Sequence, residues 1–230
     1  MIAGNSGSGK STSLRNLDPT TTFVVNCGKK ELTFPRARVN YRPYDKSTGK
    51  GNMINTNVFE TVVAIIPLVS AKLPHIKTLV IDDFQYAMAA SVMKNISIKG
   101  FDKWNELANG VWQVVDAAKN QREDLTVVFV EHLDTAYDDS GVRNTKAKTV
   151  GKLVDNLINL DGLFGMILYS EVIRNEEGKI TYVFRTHTSG SDTCKTPMEM
   201  FEEDYIPNDL ALVISRMNEY YGEEVEIAIR

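Results

Sequence analysis

The chain has 230 residues, 43% of them apolar and 24% charged, and 26 basic against 30 acidic side chains leave a net charge of −4. This is ordinary for a soluble globular protein and suits one α/β domain with additions over residues 1–230; it excludes a global field that draws in nucleic acid or membrane. No apolar run reaches the length of a membrane span and no signal peptide is visible, so a soluble, cytoplasmic setting is expected.

The first residues carry the strongest signal. Gly4-Asn5-Ser6-Gly7-Ser8-Gly9-Lys10-Ser11 matches the phosphate-loop pattern G-x-x-x-x-G-K-[ST] in full. Its glycines let successive backbone N–H groups turn inward around a β-phosphate. Lys10 is expected to reach the β- and γ-oxygens, and the Ser11 hydroxyl to sit on Mg²⁺. Ser11-Thr12-Ser13-Leu14 is expected to open a helix whose positive end adds to the anion site. The chain is therefore expected to bind a nucleoside triphosphate, ATP with Mg²⁺, through residues Gly4 to Thr12. Only Met1-Ile2-Ala3 precede the loop, a poor central strand, and the numbered chain is expected to begin inside a longer one.

Thr22-Phe23-Val24-Val25-Asn26 reads as a buried strand. Residues 34–57, rich in Arg, Tyr, Pro, Asn and Gly, read as a long irregular loop. A helix is expected from about Phe59 to Ser70. Thr78-Leu79-Val80-Ile81-Asp82-Asp83 is the next strand and fits the second nucleotide signature, an apolar strand ending in an acid, with Asp82 aimed at the Mg²⁺ shell. Residues 84–122 are mostly helical with a break near 98–100, and Trp104 and Trp112 read as packing residues. Leu125-Thr126-Val127-Val128-Phe129-Val130 is a strand ending at Glu131-His132. Residues 135–149 read as a polar, basic loop, followed by an amphipathic helix over 150–160. Strands over 164–169 and 180–185 flank a hairpin-like Asn175-Glu176-Glu177-Gly178. Asn208-Asp209 is a plausible N-cap for a closing helix to about residue 220. Strands alternating with helices predict a mostly parallel sheet flanked by helices on both faces.

Beyond the phosphate loop the candidates are acids, a histidine and a cation. Asp83, directly after the Mg²⁺-associated acid, is a candidate general base for an attacking water, or an N-cap of the next helix. Glu31, after the second strand, competes for the role of base. His132, at the mouth of the strand after the Asp82 strand, is a candidate sensor of the γ-phosphate or a hydrogen-bonded loop residue. Cys27 and Cys194 are far apart and in no metal or redox spacing, so reduced thiols are expected. His75, His132 and His187 do not suggest a zinc motif.

The runs Val80-Ile81-Asp82-Asp83-Phe84-Gln85-Tyr86, Phe129-Val130-Glu131-His132, Lys146-Ala147-Lys148-Thr149-Val150-Gly151-Lys152 and Lys195-Thr196-Pro197-Met198-Glu199-Met200-Phe201, with Ile206-Pro207-Asn208-Asp209-Leu210, resemble a group of tailed-phage P-loop ATPases. These are RecA-like proteins described as AAA-family ATPases or single-strand-annealing recombination proteins. The resemblance implies a RecA-like P-loop NTPase core, ATP binding, a homo-oligomer and a role in phage DNA metabolism on single-stranded DNA, in the host cytoplasm. It also implies a DNA-contacting loop, here Lys146, Lys148 and Lys152, and a cation presented to a neighbour's γ-phosphate, here Lys195 with Arg185 as rival. A nucleotide kinase with residues 143–152 as its lid, and a non-catalytic nucleotide switch, are the competing readings.

Overall fold

The computed structural model describes residues 1–98, 100–137, 141 and 143–222. In chain order it forms β1 (Ile2–Gly4), a 3₁₀ turn (Ser11–Asn16), β2 (Thr22–Asn26), α1 (Ala37–Asn40), β3 (Met53–Asn55), α2 (Phe59–Lys72) and β4 (Thr78–Asp82). Then come α3 (Gln85–Lys94), α4 (Asp102–Lys119), β5 (Thr126–Tyr137), β6 (Arg143–Ala147), α5 (Lys152–Leu157), β7 (Leu168–Arg174), β8 (Ile180–Arg185), β9 (Tyr205–Pro207) and α6 (Leu210–Tyr221).

The strands join one sheet in the order β3-β2-β4-β5-β1-β7-β8-β9, with β6 hairpinned onto β5. The path from β3 to β7 is parallel, and β8 and β9 add antiparallel. The three residues of β1 are buried and stand at the centre, paired on one side to β5 (Ala3 with Glu131) and on the other to β7 (Ala3 with Tyr169). One face of the sheet packs Val25, Ile81 and Phe129 against α2 and α4 through Val62, Ile66, Leu107 and Val111. The other packs Ile2, Val24, Val80 and Val130 against Leu14, Ala37, Leu210 and Val213. This is the predicted α/β architecture, a mostly parallel sheet with helices on both faces. Alternation along each parallel strand supplies apolar side chains to both layers, as a sheet covered on two sides requires.

Several expectations are corrected. Ser11–Asn16 forms a short 3₁₀ segment rather than a full helix. Pro19 disfavours helical geometry at Asp18, and the Asp18 carboxylate turns the chain by accepting from the Thr20 N–H and hydroxyl. The expected loop over 34–57 contains α1 and the edge strand β3, whose Met53 pairs with Val24. The expected polar loop over 135–149 is the outer half of a hairpin, because β5 runs to Tyr137 and pairs with β6 from Leu133–Ala147 to Tyr137–Arg143. Asp134 to Tyr137, Arg143 and Asn144 of this ribbon are exposed, whereas Thr145 and Ala147 are buried. Asp138, Asp139 and Ser140 lie outside the described residues. Trp104 packs on the core at Gly151, whereas Trp112 is 52% exposed. Asp209 caps α6 by accepting from the Ala211 N–H, as expected, while Asn208 is buried instead. Cys27 and Cys194 are free and buried, and burial pushes both thiols up. Among the described residues no helix is long and apolar enough to cross a membrane.

Candidate nucleotide site

The phosphate loop leaves β1 at Gly4, where the chain passes so close to β7 that a Cβ would stand 2.7 Å from the Ser170 carbonyl oxygen. Gly7 and Gly9 take φ values of +78° and +95°, a region that glycine enters without strain. The loop is braced from behind. The Ser170 hydroxyl donates to the Ser8 carbonyl at 2.7 Å, and the Asn208 amide donates to Ser170 Oγ at 3.0 Å. Lys10 Nζ donates to the Asn5 carbonyl at 2.9 Å. Lys10 is buried, and that burial lowers its pKa against the opposing charge of Asp83.

β4 lies two strands from β1, with β5 between them, and delivers two acids to the loop. Asp82 accepts from the Ser11 hydroxyl at 3.1 and 3.2 Å. It is fully buried, and burial together with the Asp83 charge pushes its carboxyl up to about 7. Hydroxyl and carboxylate oxygen at one point are the donor set that Mg²⁺ prefers. These two residues fit that ion.

Asp83 turns away from the strand direction at φ +57°. Its buried carboxylate receives Lys30 Nζ at 2.5 Å on Oδ2 and His132 Nε2 at 3.5 Å on Oδ1. Burial raises its pKa, but the close approach of His132 and Lys30 outweighs that and holds the carboxyl below its ordinary value. The His132 backbone is fixed in turn, since its backbone N–H donates to Gln85 Oε1 while the Gln85 backbone N–H donates to Glu131 Oε2. Glu131 is fully buried against the start of α3, and that burial pushes its pKa well up.

The Lys30 segment is built to meet Asp83. Asn26, buried at the end of β2, donates to the Lys30 carbonyl at 2.6 Å and to Asn55 Oδ1 at 2.8 Å. Lys29 takes φ +52°, a conformation that costs a non-glycine residue about 1 kcal/mol or more. Gly28 passes the Asp83 carboxylate where no side chain fits.

Together these residues line a cleft of about 530 Å³: Ser6, Gly7, Gly9, Lys10, Ser11 and Thr12 of the loop face Lys30, Thr33, Asp83, His132 and Tyr182. Of the predicted site residues, the loop, Asp82, Asp83 and His132 thus converge. Glu31 does not: it is one residue beyond the turn that aims Lys30 inward, its side chain is 70% exposed, and Arg38 holds it at 2.5 Å. Lys195 does not either. It bridges Ile167 at the opposite end of the parallel strands, and its Nζ donates to the Asp161 carbonyl at 3.0 Å. Its rival Arg185 is spent on Glu171 at 2.8 Å and Asp192 at 2.9 Å. Lys146 pairs with Asp155 at 3.0 Å, Lys148 is exposed on the hairpin, and the Lys152 side chain lies outside the described residues. Sequence reasoning missed Lys30, Thr33 and Tyr182. Lys30 is one of several basic residues in this stretch, with Lys29, Arg36, Arg38 and Arg42, and charge alone gives no hint which one turns inward.

A family model described as AAA domain matches residues 1–196 of the chain. No curated protein matches it.

Proposed function

We propose that this chain, which belongs to the AAA domain family, binds ATP with Mg²⁺ in the phosphate-loop cleft and hydrolyses it. The observation that carries the reading is the meeting of Ser11 Oγ and Asp82 at 3.1 Å beneath the loop, with Asp83 facing the same cleft. Backbone N–H groups of the loop bind the phosphates, and Lys10 reaches the β- and γ-oxygens with the donors it does not give to Asn5. Ser11 and Asp82 would hold Mg²⁺, which when bound would supply charge neutralisation at the phosphate oxygens. Asp83 orients a water and takes its proton as the water oxygen bonds to the γ-phosphorus. The bond from that phosphorus to the bridging oxygen breaks, and its electron pair leaves with ADP. His132 donates toward the terminal phosphate and keeps Asp83 in place.

In this reading the protein works on single-stranded DNA in phage recombination or replication, as a homo-oligomer, and the β5–β6 hairpin contacts the DNA. Support comes from the quoted sequence runs, from exposed Arg143 and Lys148, and from the Lys148 N–H that donates to the His132 carbonyl at 2.7 Å. That bond ties the hairpin to a cleft residue.

ATP turnover with and without Mg²⁺ and single-stranded DNA tests the reading. Mg²⁺-dependent turnover that DNA stimulates is expected, and Lys10→Ala should abolish it while leaving the fold intact. Parental turnover in Lys10→Ala would overturn the site. Binding without turnover would leave a nucleotide switch, and phosphate transfer to an added nucleoside monophosphate a kinase.

A further inference from the structure

We propose that Lys30 is the side chain by which this site distinguishes a triphosphate from a diphosphate: it bridges the Asp83 carboxylate to the terminal phosphoryl group. The inference rests on the ATP reading above. Water positioned by Asp83 can attack only the terminal phosphorus, so whatever is bonded to Asp83 stands beside that group. The Lys30 ammonium is ion-paired with Asp83 Oδ2 at 2.5 Å and lines the cleft opposite the loop. An ammonium carries three donors, and a carboxylate oxygen occupies one of them. The side chain is half exposed, so its remaining donors face the cleft rather than the core.

The chain spends conformational strain to hold this contact. Asp83 and Lys29 both take positive φ, Asn26 pins the Lys30 carbonyl, and Gly28 leaves the space that lets the segment close on Asp83. Strain gathered at one point on two separate segments marks a site held for function. Burial works against the charge on Lys30, yet its bond to Asp83 raises the pKa, so the ammonium stays charged at neutral pH. Lys10 faces the same cleft, and the Lys30 charge adds to the burial that lowers the Lys10 pKa, a repulsion that an anion placed between the two cations would relieve. Diphosphate oxygens are served by the loop; the second cation is spare until a third phosphate is present.

Titration of the full chain with ADP and with the β,γ-imido analogue of ATP, both in Mg²⁺, reads this directly. Lys30→Ala should weaken the triphosphate analogue about tenfold, as expected for one charge-assisted bond, and leave ADP within about twofold. Lys30→Arg should keep most of the preference. Retained ADP binding certifies the fold of the variant, and Lys30→Gln, which can still donate to Asp83 without charge, carries the same comparison if Ala does not fold. Equal losses for both nucleotides, no loss for either, or an Arg variant as poor as Ala would overturn the assignment. Wild-type protein that binds neither nucleotide would overturn the phosphate-site reading itself.

Discussion

Asp83 closes directly onto the backbone of Gly28: a Cβ built on Gly28 would stand 2.8 Å from Asp83 Oδ2 and 3.4 Å from Asp83 Cβ. The neighbour cannot retreat easily, because Asp83 is buried and its backbone is fixed at φ +57° between β4 and α3. Gly28→Ala should therefore displace the carboxylate and cost about 1–3 kcal/mol of stability, as overpacking in a tight interior does. Chemical denaturation and turnover measure the two effects. Unchanged values of both would show that the contact is slack.

The two candidate bases predict different kinetics. Asp83→Asn should lower kcat by about 10²–10⁴ with nucleotide affinity kept, the range for loss of a general base. Glu31→Gln should stay within about twofold of the parent, since an exposed side chain paired to Arg38 touches nothing in the cleft. Steady-state rates and nucleotide titrations on both variants decide it; a large loss in Glu31→Gln would return the role to that residue.

Burial, together with the Asp83 charge, pushes the Asp82 carboxyl up to about 7. A proton on Asp82 competes with the cation, so apparent Mg²⁺ affinity should fall about tenfold for each pH unit below 7 and level off above it. Asp82→Asn should bind Mg²⁺ weakly at every pH. For metal-free protein the sign of the stability effect is the reverse of the usual carboxylate. The Asp82 contribution is full below the ordinary value of 3.8 and is lost as pH rises through about 7. Thermal unfolding against pH, in parent and Asp82→Asn, reads that difference.

The hairpin is tested by charge removal. Lys146→Ala with Lys148→Ala should weaken single-stranded DNA binding and reduce the slope of log affinity on log salt by roughly one unit per lost phosphate contact. Lys146 already pairs with Asp155 at 3.0 Å, so most of the change should come from Lys148. An unchanged slope would remove the hairpin from the DNA surface.

The sequence by itself determined the phosphate loop, the strand that ends in Asp82 and Asp83, and the two-faced sheet. Those signals are local: three glycines with Lys10 and Ser11 at fixed offsets, and uninterrupted apolar runs before an acid. Tertiary structure decided which charges face the cleft. Glu31 and Lys30 are neighbours in the chain, and the positive φ at Lys29, the Asn26 bond and the bare backbone at Gly28 turn the lysine inward and leave the acid in solvent. Lys195 lay near polar turns in sequence but at the far end of the strands in space, because strand direction and order set which end a residue joins. The hairpin was hidden for a related reason. The buried positions of β6 are Thr145 and Ala147, too small or polar to mark an apolar alternation, so only the pairing, from Leu133 with Ala147 to Tyr137 with Arg143, reveals the ribbon.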